Sequence, residues 1–202
     1  MVVTHPVLLK EEAGYINALF EAGLERLHLR KPNVSEAAVR ALMDQVAQEH
    51  YPKIAWHQWH HLAIRYGTKR LHFPEWMRLR HRTPVWKLLK AEGCILSTSV
   101  HAHTAAPVLP DEFSYAFAGP VFNSISKAGY RALEVNAGKR LLMAHSGVER
   151  VAIGGIGSNN CQTLKALGIR SIAISGAIWQ HGAPLQAFKK LQAIWNTTAP
   201  SF

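Results

Sequence analysis

The sequence predicts an α/β chain folded as a compact single-domain (βα)8 TIM barrel, and three observations carry that reading. Strand-like and helix-like segments alternate along the whole chain. Two late strands, Val151-Ala152-Ile153 and Ile172-Ala173-Ile174, are wholly apolar, as parallel strands covered on both faces are. Eight strand–crossover units in 202 residues leave about 25 residues each, close to the smallest length such a barrel takes. No linker or composition break divides the chain, so residues 1–202 read as one domain. The competing architecture is an open doubly wound sheet. That fold usually places a Gly-rich phosphate turn after its first strand, whereas Thr4-His5-Pro6 stands there and the Gly pair comes late.

The elements follow in order. Val2-Val3-Thr4 is a short apolar strand. Glu12 to Gly23 carries Ile16, Leu19 and Phe20 at helical spacing, with Gly23 as the stop. Leu27-His28-Leu29-Arg30 alternates as a strand does. Asn33 and Ser35 are candidate caps for a helix with Val39, Leu42, Met43 and Val46 on one face. Ile54 to His57 is a strand, followed by a helix from about Trp59 to Tyr66. Arg70 to Phe73 is the fourth strand, and residues 75 to 92 stay ambiguous around Pro84. Ile95 to Val100 and Ser114 to Ala118 are the fifth and sixth strands, with a candidate helix over 133 to 145. Asn160 to Leu167 lies as a helix between the two late strands. Leu185 to Trp195 closes the chain, with Leu185, Phe188, Leu191 and Ile194 inward.

Charge narrows the function. Lys and Arg number 23 against 13 Asp and Glu, a formal net charge of +10. That leaves nucleic acid, an acidic membrane surface or phosphorylated small molecules as partners. Only Asp44 and Asp111 are aspartates, which argues against two or three aspartates around a divalent metal. No apolar run approaches about 18 residues, so no membrane span is expected. The start, Met1 to Pro6, shows no signal peptide. Cys94 and Cys161 are too few for a disulfide framework, and a cytoplasmic location is the expectation.

In a barrel the chemistry sits at the C-terminal ends of the strands. Arg30, Lys31, His57, Gln58, His72, Glu75, Ser97, Ser99 and His101 fall there, as do the Ser124-Ile125-Ser126-Lys127 loop, Gly154-Gly155 and Ser175-Gly176. Period two puts His28 and Arg30 on the inner face of strand 2, and Ser97, Ser99 and His101 on one face of strand 5. Gly154 and Gly155 let backbone approach a ligand, and with Ser175-Gly176 they make a phosphate site at loops 7 and 8. Ser124, Ser126 and Lys127 suit a second phosphate or a diphosphate. The basic residues Lys69, Arg70, Arg78, Arg80, Arg82 and Lys87 interleave with Trp76 and Trp86. That pattern can track a nucleic-acid strand, but a solvated basic helix over core tryptophans is the preferred reading.

The run Gly119-Pro120-Val121-Phe122-Asn123-Ser124-Ile125-Ser126-Lys127, then Val151-Ala152-Ile153-Gly154-Gly155-Ile156, then Ile172-Ala173-Ile174-Ser175-Gly176-Ala177-Ile178 resembles the thiamine-phosphate synthase and TenI family. Leu29-Arg30-Lys31 and Arg70-Leu71-His72-Phe73 fit it as well. The resemblance implies a (βα)8 barrel and one of two reactions. One joins hydroxymethylpyrimidine diphosphate to thiazole phosphate with Mg²⁺. The other isomerises a thiazole phosphate carboxylate to its aromatic tautomer. In the synthase pattern an Asn-Asp pair ends strand 3 and another Asp follows the strand 4 His. Here His57-Gln58 and Met77 stand at those places, leaving Glu75 as a weak metal candidate.

Ser99-Val100-His101 resembles the Ser-Val-His of the TenI branch, whose His is the proposed base. The expectation is therefore a metal-independent tautomerase that requires no cofactor. His101 and His28 would be catalytic, and Gly154, Gly155, Ser175 and Gly176 would hold the substrate phosphate. Arg30, Lys31, Ser124, Ser126 and Lys127 would meet a diphosphate or carboxylate, with His57, His72 and Ser99 lining the pocket. The alternatives are an Mg²⁺-using synthase and a non-catalytic phosphate-binding barrel. The expected partner is a phosphorylated small molecule, with neither membrane nor nucleic acid, and a homo-oligomer is left open.

Overall fold

A computed structural model describes residues 1–101, 108–122, 141–143, 147–180 and 182–197. The strands are β1 (Val2–Val3), β2 (Leu27–Leu29), β3 (Ile54–Trp56), β4 (Arg70–Phe73), β5 (Ile95–Val100), β6 (Phe113–Ala118), β7 (Glu149–Ile153) and β8 (Ile172–Ala173). They form one parallel sheet in sequence order. A parallel bridge between Val2 and Ile174 brings the last strand back to the first. Val3 N donates to Ile174 O at 2.9 Å, and Ile174 N donates to Met1 O at 3.2 Å. The (βα)8 barrel expected from the alternation is the fold observed.

The crossovers carry α1 (Glu12–Glu21), α2 (Glu36–Met43), α3 (His60–Arg65), α4 (Glu75–Arg78), α5 (Thr83–Ala91), α6 (Cys161–Ala166), α7 (Gly176–Trp179) and α8 (Pro184–Asn196). Ser35 caps α2 by accepting from Ala38 N at 3.3 Å, so of the two candidate caps it is Ser35 that acts. The ambiguous stretch from 75 to 92 is two helices. Pro84 lies in the first turn of α5, where its missing N–H costs nothing, so it opens a helix rather than breaking one. A 3-10 helix over Gln48–Lys53 and the short α7 are elements the sequence did not signal. The helix expected over 133 to 145 lies outside the described residues except for 141–143, which are helical. Among the described residues no helix is long and apolar enough to cross a membrane.

Period two sorts the strand residues into two sets. Leu27, Leu29, Ile54, Trp56, Leu71 and Leu96 pack outward in one cluster with Ile16, Leu19 and Val39 of the helices. Val3, Tyr115, Phe117, Val151 and Ala173 form a separate inner cluster. His28, His72 and Ser97 are buried there too, at 0%, 0% and 1% exposure. The β5–β6 register shifts between Leu96 and Ser97. That shift accompanies Phe113 packing on Trp86 outside, with ring centroids 5.1 Å apart, and Tyr115 turning inside.

Arg30 and Lys31, adjacent in sequence, have different fates. Lys31 is 1% exposed, and its Nζ donates to Glu12 Oε1 at 2.6 Å and Oε2 at 2.7 Å. It also donates to His5 O at 2.8 Å and Val7 O at 2.9 Å. Lys31 therefore pins the β1–α1 loop onto the end of β2 instead of facing an anion, which corrects its expected place in the mouth. Burying two charges is tolerated because both are paired and fully hydrogen-bonded. Replacing Glu12 with Leu leaves the ammonium unpaired and should cost about 3–5 kcal/mol, read as a lower urea midpoint. The double variant Glu12→Leu, Lys31→Met should recover most of that loss.

Candidate functional site

The strand ends open into a cavity of about 710 Å³ lined by Arg30, His57, His72, Glu75, Ser99 and His101, with Phe117 among its walls. A smaller cavity of about 350 Å³ lies beside it, lined by Gly154, Gly155, Ser175 and Gly176. Ile153 lines both, so the two adjoin. The fold thus brings together most of the residues singled out in the sequence. Ser124, Ser126 and Lys127 lie outside the described residues.

His101 stands just past β5 and Glu75 opens α4. Its Nδ1 lies 2.8 Å from Glu75 Oε2, with the side chains 40% and 22% exposed. Glu75 Oε1 is also 3.6 Å from Arg78 Nη2. The sequence offered Glu75 only as a metal candidate, and the structure makes it the carboxylate that orients His101. The available signal was its position three residues after His72, at the start of a helix that folds back over β5.

Arg30 borders the same cavity, and burial lowers its guanidinium below the usual arginine value. Its backbone is locked to β1, since Arg30 N donates to Thr4 Oγ1 at 2.9 Å and Thr4 Oγ1 donates to Arg30 O at 3.1 Å. Among the described residues no carboxylate pairs with its guanidinium.

His28 was expected as a catalytic residue on the inner face of β2. It is fully buried instead, one level below Arg30, because the mouth-facing position of β2 comes two residues later. Its Nδ1 lies 2.9 Å from His57 Nε2, and its Nε2 lies 2.8 Å from Tyr115 Oη. With Tyr115 donating to Nε2, the His28 proton sits on Nδ1 and is given to His57. His72 Nδ1 and Nε2 lie 3.0 Å from Ser97 Oγ and 3.0 Å from Ser99 Oγ. The His57 and His72 rings stack at 3.9 Å. Desolvation, reinforced by the His72 charge, drives His28 and His57 well below the usual imidazole range. Desolvation, with the His60 and Arg30 charges, pushes His72 down to about 3. All three are neutral near pH 7.

The late loops are shaped by backbone rather than charge. Gly154 has φ +98°, and a Cβ there would lie 2.6 Å from Pro120 Cβ. Gly155 follows at φ +66°, so the turn needs the left-handed region twice. Asn160 staples it by donating from Nδ2 to Gly155 O at 2.8 Å and accepting from Gly157 N at 2.8 Å. Sequence reasoning did not single out Asn160.

Mg²⁺ asks for near-octahedral oxygen ligands. At the mouth, Gln58 Oε1 accepts from Lys31 N at 2.9 Å, Glu75 is engaged by His101 and Arg78, and Met77 offers no oxygen. This donor set does not fit Mg²⁺. Of the basic stretch, Arg70 donates to Pro52 O, Arg78 donates to Thr98 Oγ1, and Trp86 is 1% exposed in the core. Trp76 is exposed at 57% and carries Arg80 5.2 Å over its ring.

A family model described as thiamine monophosphate synthase matches residues 1–178. The chain belongs to that family. The thiamine phosphate pyrophosphorylase from Bacteroides thetaiotaomicron superposes with a TM-score of 0.68 at 22% identity, over 96% of this chain and 95% of its own. The one from Pyrococcus furiosus gives 0.72 at 17% identity, over 96% and 93%. A 3-hexulose-6-phosphate synthase gives 0.65 at 16% identity, over 96% and 98%. These likenesses show the fold. No curated protein matches the sequence. The mouth of this thiamine monophosphate synthase family member is lined by imidazoles and a guanidinium.

Two outcomes follow from this geometry. An unfolded histidine titrates near 6.5, and the buried three resist protonation. Below about pH 6.5 the unfolded chain therefore binds protons that the folded chain refuses. Stability should be complete above that pH and should fall as pH drops toward about 3 for His72, by about 1.4 kcal/mol per pH unit for each histidine. Urea midpoints from pH 7 to pH 4 measure it, and His72→Gln should give a shallower fall. Gly154→Ala forces a side chain into Pro120 at positive φ, and should cost about 1–3 kcal/mol, read as a lower urea midpoint.

Proposed function

We propose that the chain is a TenI-like thiazole tautomerase, moving a proton on a thiazole phosphate carboxylate with no metal requirement. The observation that carries this reading is the 2.8 Å His101–Glu75 pair at the rim of the mouth cavity. Glu75 engages Nδ1, and proton transfer is assigned to Nε2 of the same ring. The substrate's ring C–H bond breaks toward that nitrogen, and its electron pair enters the conjugated ring. The imidazolium so formed is stabilised by Glu75 and returns a proton at the second position. The result is an isomerisation with no change in oxidation state. An imidazole suits this task near neutral pH.

The rest of the mouth supports the same substrate. Arg30, buried along its stem and without an acidic partner among the described residues, suits the carboxylate as a bidentate donor. The Gly154-Gly155 and Ser175-Gly176 cavity adjoins the mouth at Ile153 and suits the phosphate. His28 is fully buried and does not line the mouth cavity, so it has no role in the transfer. The second reading, thiamine-phosphate synthase, is favoured by the family match over residues 1–178. It is weakened by the mouth's poor fit to Mg²⁺.

An assay of both reactions with and without Mg²⁺ separates the two. Isomerisation should proceed without added metal. His101→Ala should abolish it while leaving thiazole phosphate binding intact by calorimetry, and Glu75→Gln should lower kcat on the order of 100-fold. Unchanged turnover in His101→Ala overturns the proton-shift role. Mg²⁺-dependent release of diphosphate from the two synthase substrates installs the second reading.

A further inference from the structure

We propose that His28, His57 and His72 form a binding site for a borderline divalent cation of the Zn²⁺, Co²⁺ or Ni²⁺ class, at the floor of the barrel mouth. His28 lies in β2, His57 directly follows β3 and His72 lies in β4, with His28 in register with Ala55, two residues before His57. One ring nitrogen of each lies within 4.8 Å of those of the other two. Two 2.0–2.1 Å bonds at a tetrahedral angle need nitrogens about 3.3 Å apart. His28 Nδ1 and His57 Nε2 are already 2.9 Å apart, and the His72 ring, stacked on His57 at 3.9 Å, turns out of that stack to aim its nitrogen at the ion.

The donor set selects the metal class. Three imidazoles without a carboxylate suit Zn²⁺, Co²⁺ or Ni²⁺ and disfavour Mg²⁺ or Ca²⁺. Three protein ligands with an open fourth position is the arrangement of a reactive zinc site rather than a closed structural one. The outer contacts are present as well. Tyr115 Oη stands 2.8 Å from His28 Nε2, and Ser97 Oγ stands 3.0 Å from His72 Nδ1. Each holds the nitrogen that does not face the centre and so fixes the tautomer that binds. On binding, the His28 proton moves from Nδ1 to Nε2 and is donated to Tyr115, and Ser99 turns away from His72 Nε2. No net proton is released. The rings are neutral near pH 7, as ligands must be.

There is an entry path, because His57 and His72 line the mouth cavity while His28 lies directly beneath. The fourth position opens into that cavity and takes water or an anionic oxygen. His101 belongs to the Glu75 pair and is not a ligand, so the site does not depend on the proton-shift reading.

The test is metal binding by the full chain, stripped with chelator and titrated with CoCl₂, then ZnCl₂ in competition. One equivalent of Co²⁺ should give the visible absorption of a four-coordinate imidazole site, displaced by Zn²⁺. His57→Gln and His72→Gln should each weaken binding by more than about 100-fold, and Tyr115→Phe by about 10-fold. His61→Ala, on the exposed side of α3, should change nothing. Far-UV circular dichroism confirms that each variant is folded. If a His→Gln variant fails to fold, the wild-type cobalt spectrum and the Tyr115→Phe shift still decide. Absence of stoichiometric Co²⁺ binding by the wild type, an octahedral aquo-like spectrum, or affinity unchanged in the folded variants overturns the proposal. None of these readouts uses turnover, so failure of the metal site and failure of the tautomerase reading are separable.

Discussion

A buried imidazole must be neutral and hydrogen-bonded, and the interior of this barrel is arranged around meeting that condition three times. (βα)8 cores are normally filled by branched apolar side chains. Here the layer beneath the mouth holds His28, His57 and His72 at 0%, 4% and 0% exposure. An unpartnered polar atom at that depth costs about 1–3 kcal/mol. The Tyr115–His28–His57 chain and the Ser97–His72–Ser99 bridge remove that cost. They tie β2, β3, β4, β5 and β6 together by side chains as well as by the ladder. The register shift at Leu96 and Ser97 belongs to the same arrangement, since it accompanies the turning of Tyr115 toward His28. The apolar groups among them, Phe117 above all, exclude water and keep the rings neutral.

On that floor the mouth separates charge by depth. Lys31 and Glu12 neutralise each other outside the barrel, anchoring the first loop. Arg30, one residue earlier, is thereby held at the rim. Glu75 is the carboxylate among the cavity-lining residues, and it is turned toward His101 and Arg78. The +10 charge of the chain therefore matters locally less than the absence, among the described residues, of an acid paired with Arg30.

The fold was legible because parallel strands buried on both faces write themselves as short apolar runs, and the 25-residue pacing admits few architectures. Ile16, Leu19 and Phe20, or Leu185 and Phe188, announce their helices by period. Pro84 misled only because a proline starts a helix as readily as it ends one. The site was legible to the extent that period two and strand ends define it, which brought Arg30, His57, His72, Ser99 and His101 to one cavity. It was not legible where partners are far apart in sequence. Nothing local says that Lys31 meets Glu12 nineteen residues earlier, or that Tyr115 reaches His28 across 87 residues. Depth was the other blind spot. Alternation gives the face of His28 but not its level, and two residues along a strand separate a rim group from a buried one.

A mouth lined by imidazoles differs from one lined by carboxylates in how it receives an anion. A mouth built on aspartates is itself negative, and needs a hard cation before a phosphate or carboxylate can enter. Neutral imidazoles impose no such requirement. On the proposed function, Arg30 would meet the incoming anion directly, in a partly desolvated setting where a guanidinium–carboxylate pair is stronger than in water. The three deeper rings resist protonation, while His101 above them is paired with Glu75 at 2.8 Å. Burial withholds protons from the lower histidines and keeps them as neutral hydrogen-bonding groups, so the floor of the mouth is polar without being charged.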